Sequence, residues 1–325
     1  MSLSIGVIGV GHLGGLHAQL LGQVENAALI GVHDVDSARG EDVAHQTSSR
    51  YFDSVEALLQ HVDAVTVATV TPAHYVIVKQ ALEAGKHVLV EKPMTQTADE
   101  ARELNQLAQK NGCLIQVGHI ERFNPAVLAL EPFLLQPLFI ESHRLAQFNP
   151  RGSDVAVVLD LMIHDIDLIL SLVRSPVSRI DANGVAVVSD HADIANARIQ
   201  FENGCVANVT ASRISQNKMR KMRLFQKDAY ISIDFAQPLA EVFRLIDEND
   251  RDAKPTMMLG EITRGTHKRH IIYERPDIPE RNALLEELRS FVACVRAGST
   301  PVVTGDDGQQ AIEVAAQILS KIEDV

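Results

Sequence analysis

The stretch that most constrains this chain is Leu3–Leu21, LSIGVIGVGHLGGLHAQLL. Ile5, Val7, Ile8 and Val10 form a short β-branched run that reads as a buried strand. Gly9, Gly11 and Gly14 follow as G-x-G-x-x-G, and Leu13, Leu16, Leu20 and Leu21 resume at helical spacing. Gly9 suits a tight turn, Gly11 lets the backbone approach a pyrophosphate, and Gly14 lets the helix pack close to the strand. The helix that opens there offers free N–H groups and a positive dipole end to the phosphates. A second apolar run, Ala27–Val32, leads to Asp34, about 20 residues beyond the last glycine, where a ribose-binding acid is expected. A carboxylate there accepts both ribose hydroxyls and repels a 2′-phosphate, so NAD is expected over NADP. Arg39, the nearest cation, falls on the next helix. The plainer reading is a Gly-rich turn with a solvated Asp; the strand–turn–helix–strand–acid order favours the dinucleotide.

A length of 325 residues suits about two domains. A net charge of −12 argues against a general nucleic-acid or anionic-membrane binder. No apolar run reaches the roughly 20 residues of a membrane span. Strand pattern from Leu3 leaves no room for a signal peptide, so a cytoplasmic protein is expected. Cys113, Cys205 and Cys294 make no C-x-x-C pair and read as reduced structural thiols. With no Trp, a stacking platform for nucleic acid is not expected.

The first part alternates strand and helix. After Asp34 the pattern predicts helices over 37–45, 55–61, 72–84 and 98–110, with strands over 64–68, 88–90 and 114–118 and an extended pair at Tyr51-Phe52. This implies a doubly wound parallel sheet, a Rossmann domain, over 1–120. The pattern then changes. Strand-like segments recur at 139–148, 180–188, 192–201, 206–212, 222–226, 230–235, 242–246 and 270–273, with Asn183-Gly184 and Asn203-Gly204 read as turns. Helices are expected over 155–173, 282–297 and 306–322. Residues 121–325 thus read as an α+β domain with an open, largely antiparallel sheet for substrate binding, catalysis and oligomerisation, the final helix packing back on the first domain. The polar stretch 247–260 reads as a loop.

Strand 88–90 runs into Glu91-Lys92-Pro93. Ligands of a parallel sheet sit beyond the carboxyl ends of its strands. Neighbouring residues on a strand face opposite ways, so Glu91 and Lys92 do not both face one ligand, and Lys92 is assigned to the cleft. An ammonium there would stabilise an alkoxide developing on a substrate hydroxyl. The alternative is a surface lysine after a strand. Pro93 is a candidate cis proline.

A second constellation lies in VAVVLDLMIHDIDLIL, 155–170. At 100° per residue, Asp160, His164 and Asp167 fall within about 60° of one another on an otherwise apolar helix, with Asp165 the exception. Imidazole suits a general base for a hydroxyl proton, and an acid one turn away would orient it. A core histidine satisfied by its neighbours is the plainer reading. A metal phosphohydrolase built on His164-Asp165 needs further ligands, and Asp165 points about 100° away from His164. His267 and His270, three apart on a strand, face opposite sides and make a poor ligand pair, so no metal is expected.

Cations supply a third signal. His119–Pro125 (HIERFNP) follows the last strand of the first domain, and Arg122, Arg144 and Arg151 are candidates for an anionic substrate group. The basic run Lys218–Arg223 reads as a solvated strand edge with protective charges.

The order Gly9-x-Gly11-x-x-Gly14, Asp34, Glu91-Lys92-Pro93 and Asp160-x-x-x-His164 resembles the Gfo/Idh/MocA family over essentially the whole chain, including Thr304-Gly305-Asp306-Asp307-Gly308 before the final helix. The resemblance implies a Rossmann domain, a C-terminal open-sheet domain and NAD(P)-dependent oxidation or reduction of a sugar or cyclitol. It places Lys92 and His164 at catalytic positions with Asp160 beside them. It also implies a homodimer or homotetramer through the open sheet face. The stretches Gly118–Pro125, Arg151–Asp154 and Leu159–Asp167 are similar to nucleotide-sugar members, closest in kind to UDP-N-acetylglucosamine (or uronate) 3-dehydrogenases that feed aminotransferases.

The resulting expectation is hydride transfer between NAD and a sugar carbon, C3 of a UDP-N-acetylhexosamine. The expected cofactor contacts are Gly9, Gly11, His12, Leu13, Gly14, Asp34, Thr69, Pro72, His74, Glu91, Lys92 and His119. The expected substrate contacts are Lys92, Arg122, Asn124, Arg151, Asp160 and His164. The alternatives are a myo-inositol or free-sugar dehydrogenase and a non-catalytic NAD-binding regulatory protein.

Overall fold

The β-branched residues of β1 (Leu3–Ile8) form the middle of a sheet, where Ile5, Val7 and Ile8 are sealed from solvent. The chain continues through α1 (His12–Leu21), β2 (Ala27–His33), α2 (Ser37–Gln46), β3 (Arg50–Tyr51), α3 (Val55–Leu59), β4 (Ala64–Val67), α4 (Thr71–Glu83), β5 (His87–Glu91), α5 (Ala98–Asn111) and β6 (Ile115–Gly118). These strands pair in parallel in the order β3-β2-β1-β4-β5-β6, the doubly wound arrangement that the alternation predicts. This computed structural model describes residues 2–149, 155–247, 255–264 and 267–323.

After a 3-10 turn (Ile120–Phe123) and a short α6 (Pro125–Leu128), the chain builds a second sheet. Its elements are β7 (Phe139–Leu145), a π-helical turn (Val158–Met162) running into α7 (Ile163–Val173), β8 (Val177–Val185), β9 (Ile194–Phe201), β10 (Val206–Ser212), β11 (Met219–Gln226), β12 (Ala229–Asp234), β13 (Leu239–Asp247), β14 (Met257–Arg264) and β15 (His267–Glu274). The order is β14-β15-β13-β12-β11-β7-β10-β9-β8, antiparallel except where β7 meets β10. Two helices, α8 (Ala283–Ala297) and α9 (Gly305–Glu323), complete the chain.

By contacts, Met1–Phe123 groups with Arg281–Glu313, and Asn124–Glu280 groups with Val314–Val325. The apolar face of α8 explains the return to the first unit. Leu288, Phe291 and Val292 enter the same core as Ile5, Val7, Leu21 and Leu89. Among the described residues, no helix is long and apolar enough to cross a membrane.

Several expectations need correcting. Asn183-Gly184 is not a turn but the end of β8, and a Cβ on Gly184 would meet Ile322 of α9 at 2.9 Å. That glycine serves close packing, which a local pattern does not distinguish from a turn. Asn203-Gly204 is a turn, with Gly204 at φ +87°. Part of the expected loop over 247–260 is strand: β14 begins at Met257 and pairs with β15. Its exposed Met257, Met258 and Leu259 are neither polar-alternating nor β-branched, so the pattern hid it. Asp247 is the last residue of β13, and residues 248–254 lie outside the described residues. The basic run is not an edge, because β11 lies between β7 and β12. Lys221 reaches Asp234 at 3.2 Å and Arg223 reaches Glu141 at 3.4 Å, so these charges pair across neighbouring strands. Leu13 and Leu16 are 37% and 36% exposed, whereas the buried face of α1 is Gly14, His17, Ala18 and Leu21.

Candidate active site

The turn between β1 and α1 fits a dinucleotide. Gly9 has φ +82° and abuts Thr69, where a Cβ would collide with side chain and backbone. A Cβ on Gly14 would strike the Gly9 carbonyl oxygen. Gly11 faces open space and caps α1 with no side-chain hydrogen bond, leaving the helix N–H groups available. His12 and Leu13 are exposed on the first turn.

Asp34 is 5% exposed beyond β2. Its Oδ2 accepts the Val10 N–H at 2.8 Å, and its Oδ1 accepts the Asp36 N–H at 2.9 Å. Arg39 of α2 donates from Nη2 to Oδ1 at 2.6 Å and from Nε to Oδ2 at 3.2 Å. Burial opposes ionisation of Asp34, but Arg39 and the two backbone donors outweigh it and hold the carboxyl below its ordinary value. The acid is therefore ionised and aimed, with an Arg39 side chain 44% exposed beside it. Any ligand hydroxyl that reached this carboxylate would share it with Arg39.

β5 ends at Glu91, and Lys92 follows it. Lys92 is half-buried, and the Lys92–Pro93 bond is cis. Glu91, expected to contact cofactor, turns its carboxylate onto His17 of α1, with Nε2 and Oε1 3.1 Å apart. Its Oε2 accepts the Lys92 N–H at 3.3 Å. His74 is 1% exposed in α4, with Nδ1 2.9 Å from the Pro93 carbonyl and Nε2 3.1 Å from the Thr69 carbonyl. Burial, the largest influence, pulls its pKa below the ordinary imidazole value. The ring braces two loops from beneath. Thr69 is half-buried and Pro72 is exposed on the first turn of α4. His119 is buried just past β6, its N–H donating to the Val117 carbonyl at 2.8 Å.

The Thr304–Gly308 motif packs here as well. Thr304 and Asp307 cap the start of α9 reciprocally: the Thr304 N–H donates to Asp307 Oδ2 at 2.8 Å, and the Asp307 N–H donates to Thr304 Oγ1 at 3.1 Å. A Cβ on Gly308 would crowd Val117 and Met94. Arg122 Nη2 lies 3.5 Å from Asp307 Oδ1, and that arginine is mostly buried.

In the second unit, the helix expected to start at Val155 begins with the π-helical turn, where the Ile163 N–H reaches back to the Val158 carbonyl. The extra residue in that turn changes the phase between Asp160 and His164 from the α-helical one. Asp160 and His164 are both half-buried, while Asp165 and Asp167 are each 1% exposed. Asp165 accepts Ser142 Oγ at 2.9 Å and Arg144 Nε at 2.7 Å. Arg144, expected to meet an anionic substrate group, is instead 4% exposed and committed to this buried pair. Asn124 is 9% exposed and caps α6, its Oδ1 accepting the Ala126 N–H at 3.0 Å. Arg151 lies outside the described residues.

The sequence reading missed His17, Gln116 and Glu287. His17 carried a signal, since it stands at i+3 from Gly14 and i+4 before Leu21 on the buried stripe. Gln116 and Glu287 carried none, because α8 was not assigned to the first sheet.

A family model described as "Oxidoreductase family, NAD-binding Rossmann fold" matches residues 3–119, and one described as "GFO/IDH/MocA C-terminal domain" matches residues 140–232. The UDP-N-acetylglucosamine 3-dehydrogenase of Acidithiobacillus ferrooxidans is 36% identical, covering 98% of this chain and 96% of its own. Its crystal structure superposes with a TM-score of 0.89 over 100% of this chain and 99% of that one. A scyllo-inositol 2-dehydrogenase (NAD(+)) of Bacillus subtilis is 27% identical, covering 95% of this chain and 90% of its own. On its glycine turn, its Glu91-Lys92-Pro93 strand end and these full-length similarities, the chain belongs to the Gfo/Idh/MocA oxidoreductase family, with that family's NAD-binding Rossmann domain.

Proposed function

We propose that the protein is an NAD-dependent dehydrogenase that oxidises a secondary hydroxyl of a nucleotide sugar, C3 of a UDP-N-acetylhexosamine. The observation that carries this reading is the full-length 36% identity to a UDP-N-acetylglucosamine 3-dehydrogenase. The ionised, aimed Asp34 supports the cofactor assignment.

NAD, when bound, supplies the hydride acceptor. The chain's own residues hold and move the proton. His164 takes the hydroxyl proton, and the Lys92 ammonium stabilises the oxygen left behind. Asp160 orients this pair. Gly9, Gly11 and Gly14 admit the pyrophosphate, and Asp34 takes the ribose hydroxyls. Asn124, Arg122 and Arg151 are proposed on the substrate side.

A homo-oligomer formed through the second sheet is part of the same reading. Phe139, Phe225, Tyr230, Phe243 and Tyr273 stand ring beside ring across five neighbouring strands, with centroids 5.0–5.7 Å apart and all half-buried. Such a row is an apolar stripe suited to a matching copy.

The test is to supply NAD with a panel of UDP-sugars, free sugars and inositols and to follow reduced nicotinamide, with and without a keto-acid acceptor. The expected result is turnover on a UDP-N-acetylhexosamine. Turnover confined to inositols, the substrates named for the more distant relatives, would move the assignment to a cyclitol dehydrogenase.

A further inference from the structure

Where β5 ends, buried titratable groups from three elements converge. His17 of α1, Glu91 of β5 and Glu287 of α8 bring ligand-type atoms within 4.8 Å of one another. His17 and Glu287 are fully sealed, and Glu91 is 8% exposed. Glu91 spends one oxygen on His17 and the other on the Lys92 N–H. A Cβ on Gly118 would stand 3.0 Å from the Glu91 Cδ, so β6 closes the carboxylate's remaining side with bare backbone. Glu91 is thus a clamp between the nucleotide helix and the backbone of Lys92.

Glu287 is placed differently. Neither of its carboxyl oxygens makes a hydrogen bond, and neither does Nδ1 of His17. From β6, Gln116 donates Nε2 to the Glu287 backbone carbonyl at 3.1 Å and leaves the carboxyl alone. The 3-10 turn that packs on α8 carries Glu121 and Arg122, the latter turned toward Asp307. Two ionised carboxylates sealed beside one imidazole leave an uncompensated buried anion. Burial first, and the charge of Glu91 second, push the Glu287 carboxyl well above its ordinary value.

We propose that Glu287 is a positioning residue that works as a neutral carboxylic acid: its retained proton lets Glu91 stay anionic against His17 and so keeps the Lys92 backbone in place. The proposal rests on the catalytic reading of Lys92 given above. A divalent cation is the other way to neutralise two carboxylates. Metal content, measured below, separates the two.

The test compares full-length wild type with E287Q and E287L at neutral pH. Difference infrared spectra are expected to show a protonated carboxyl in wild type that E287Q lacks. E287Q, which keeps a neutral group of the same shape, retains kcat near wild type. E287L loses about tenfold in kcat with NAD affinity unchanged, as a shift of a catalytic group produces. An ionised Glu287 carboxylate, one divalent metal per chain by elemental analysis that E287Q abolishes, or wild-type kcat in E287L overturns the proposal. If E287L does not fold, the infrared band and E287Q decide. Normal turnover in K92A would defeat the catalytic reading instead and would leave the infrared result intact.

Discussion

Arg144 Nε donates to Asp165 Oδ2 at 2.7 Å, joining β7 to α7 one residue from His164, with both side chains sealed from solvent. Removing one partner strands a buried charge. Arg144→Met is expected to cost about 3–5 kcal/mol of stability, and the double change Arg144→Met with Asp165→Leu much less. Chemical unfolding of the three proteins checks the order.

Lys92→Ala and His164→Ala are each expected to lower kcat by about 10²–10⁴-fold, the range for an acid–base or electrostatic contribution. NAD affinity, measured by nucleotide fluorescence, stays near wild type. Near-normal turnover in both variants would falsify the catalytic assignment.

Arg39 already holds Asp34, so removing the acid frees a cation at the proposed ribose site. Asp34→Ser is expected to weaken NAD binding by about 1–3 kcal/mol through lost hydrogen bonds to a charged group. It should also raise the preference for NADP, and Arg39→Ala added to it should abolish that gain. Titration of each variant with both cofactors reads the result.

Glu287 gives stability a pH dependence of known sign. Its carboxyl binds a proton more tightly folded than unfolded, because burial and Glu91 raise its pKa. The folded state therefore carries the extra proton above the unfolded carboxyl value of about 4.3. The stabilisation is complete below that value and is lost as pH rises toward and through the raised one. Glu287→Gln removes this titration. Its melting temperature should exceed that of wild type increasingly toward alkaline pH, by about 2–4 °C for each kcal/mol gained. A constant difference from acid to alkaline pH would contradict it.

Phe291 lies in the core that α8 shares with β1 and α1. Phe291→Ala is expected to cost about 3–5 kcal/mol. The loss should reach β1 and α1: hydrogen exchange of their amides should accelerate with that of α8.

The first sheet was legible because its signals are local. A β-branched run, three glycines with separate steric duties and an acid at the end of β2 dictate a strand, a turn and a helix whichever residues pack around them. Glu91, expected at the cofactor, instead turned to His17, a partner that no local pattern names. The second sheet was legible in type and less so in its ends. Gly184 and Met257 follow packing demands made by residues distant in the chain.

Sequence by itself determined the doubly wound type of the first sheet, the nucleotide turn, the family and the residues expected to carry the chemistry. Tertiary structure decided the partners of the buried charges. Asp165 took Arg144, Glu91 took His17, and Glu287 came in from a helix nearly two hundred residues away in the chain. A buried charge must be matched by whatever group reaches it through space, and a strand or helix period says which face a side chain takes but not what waits there.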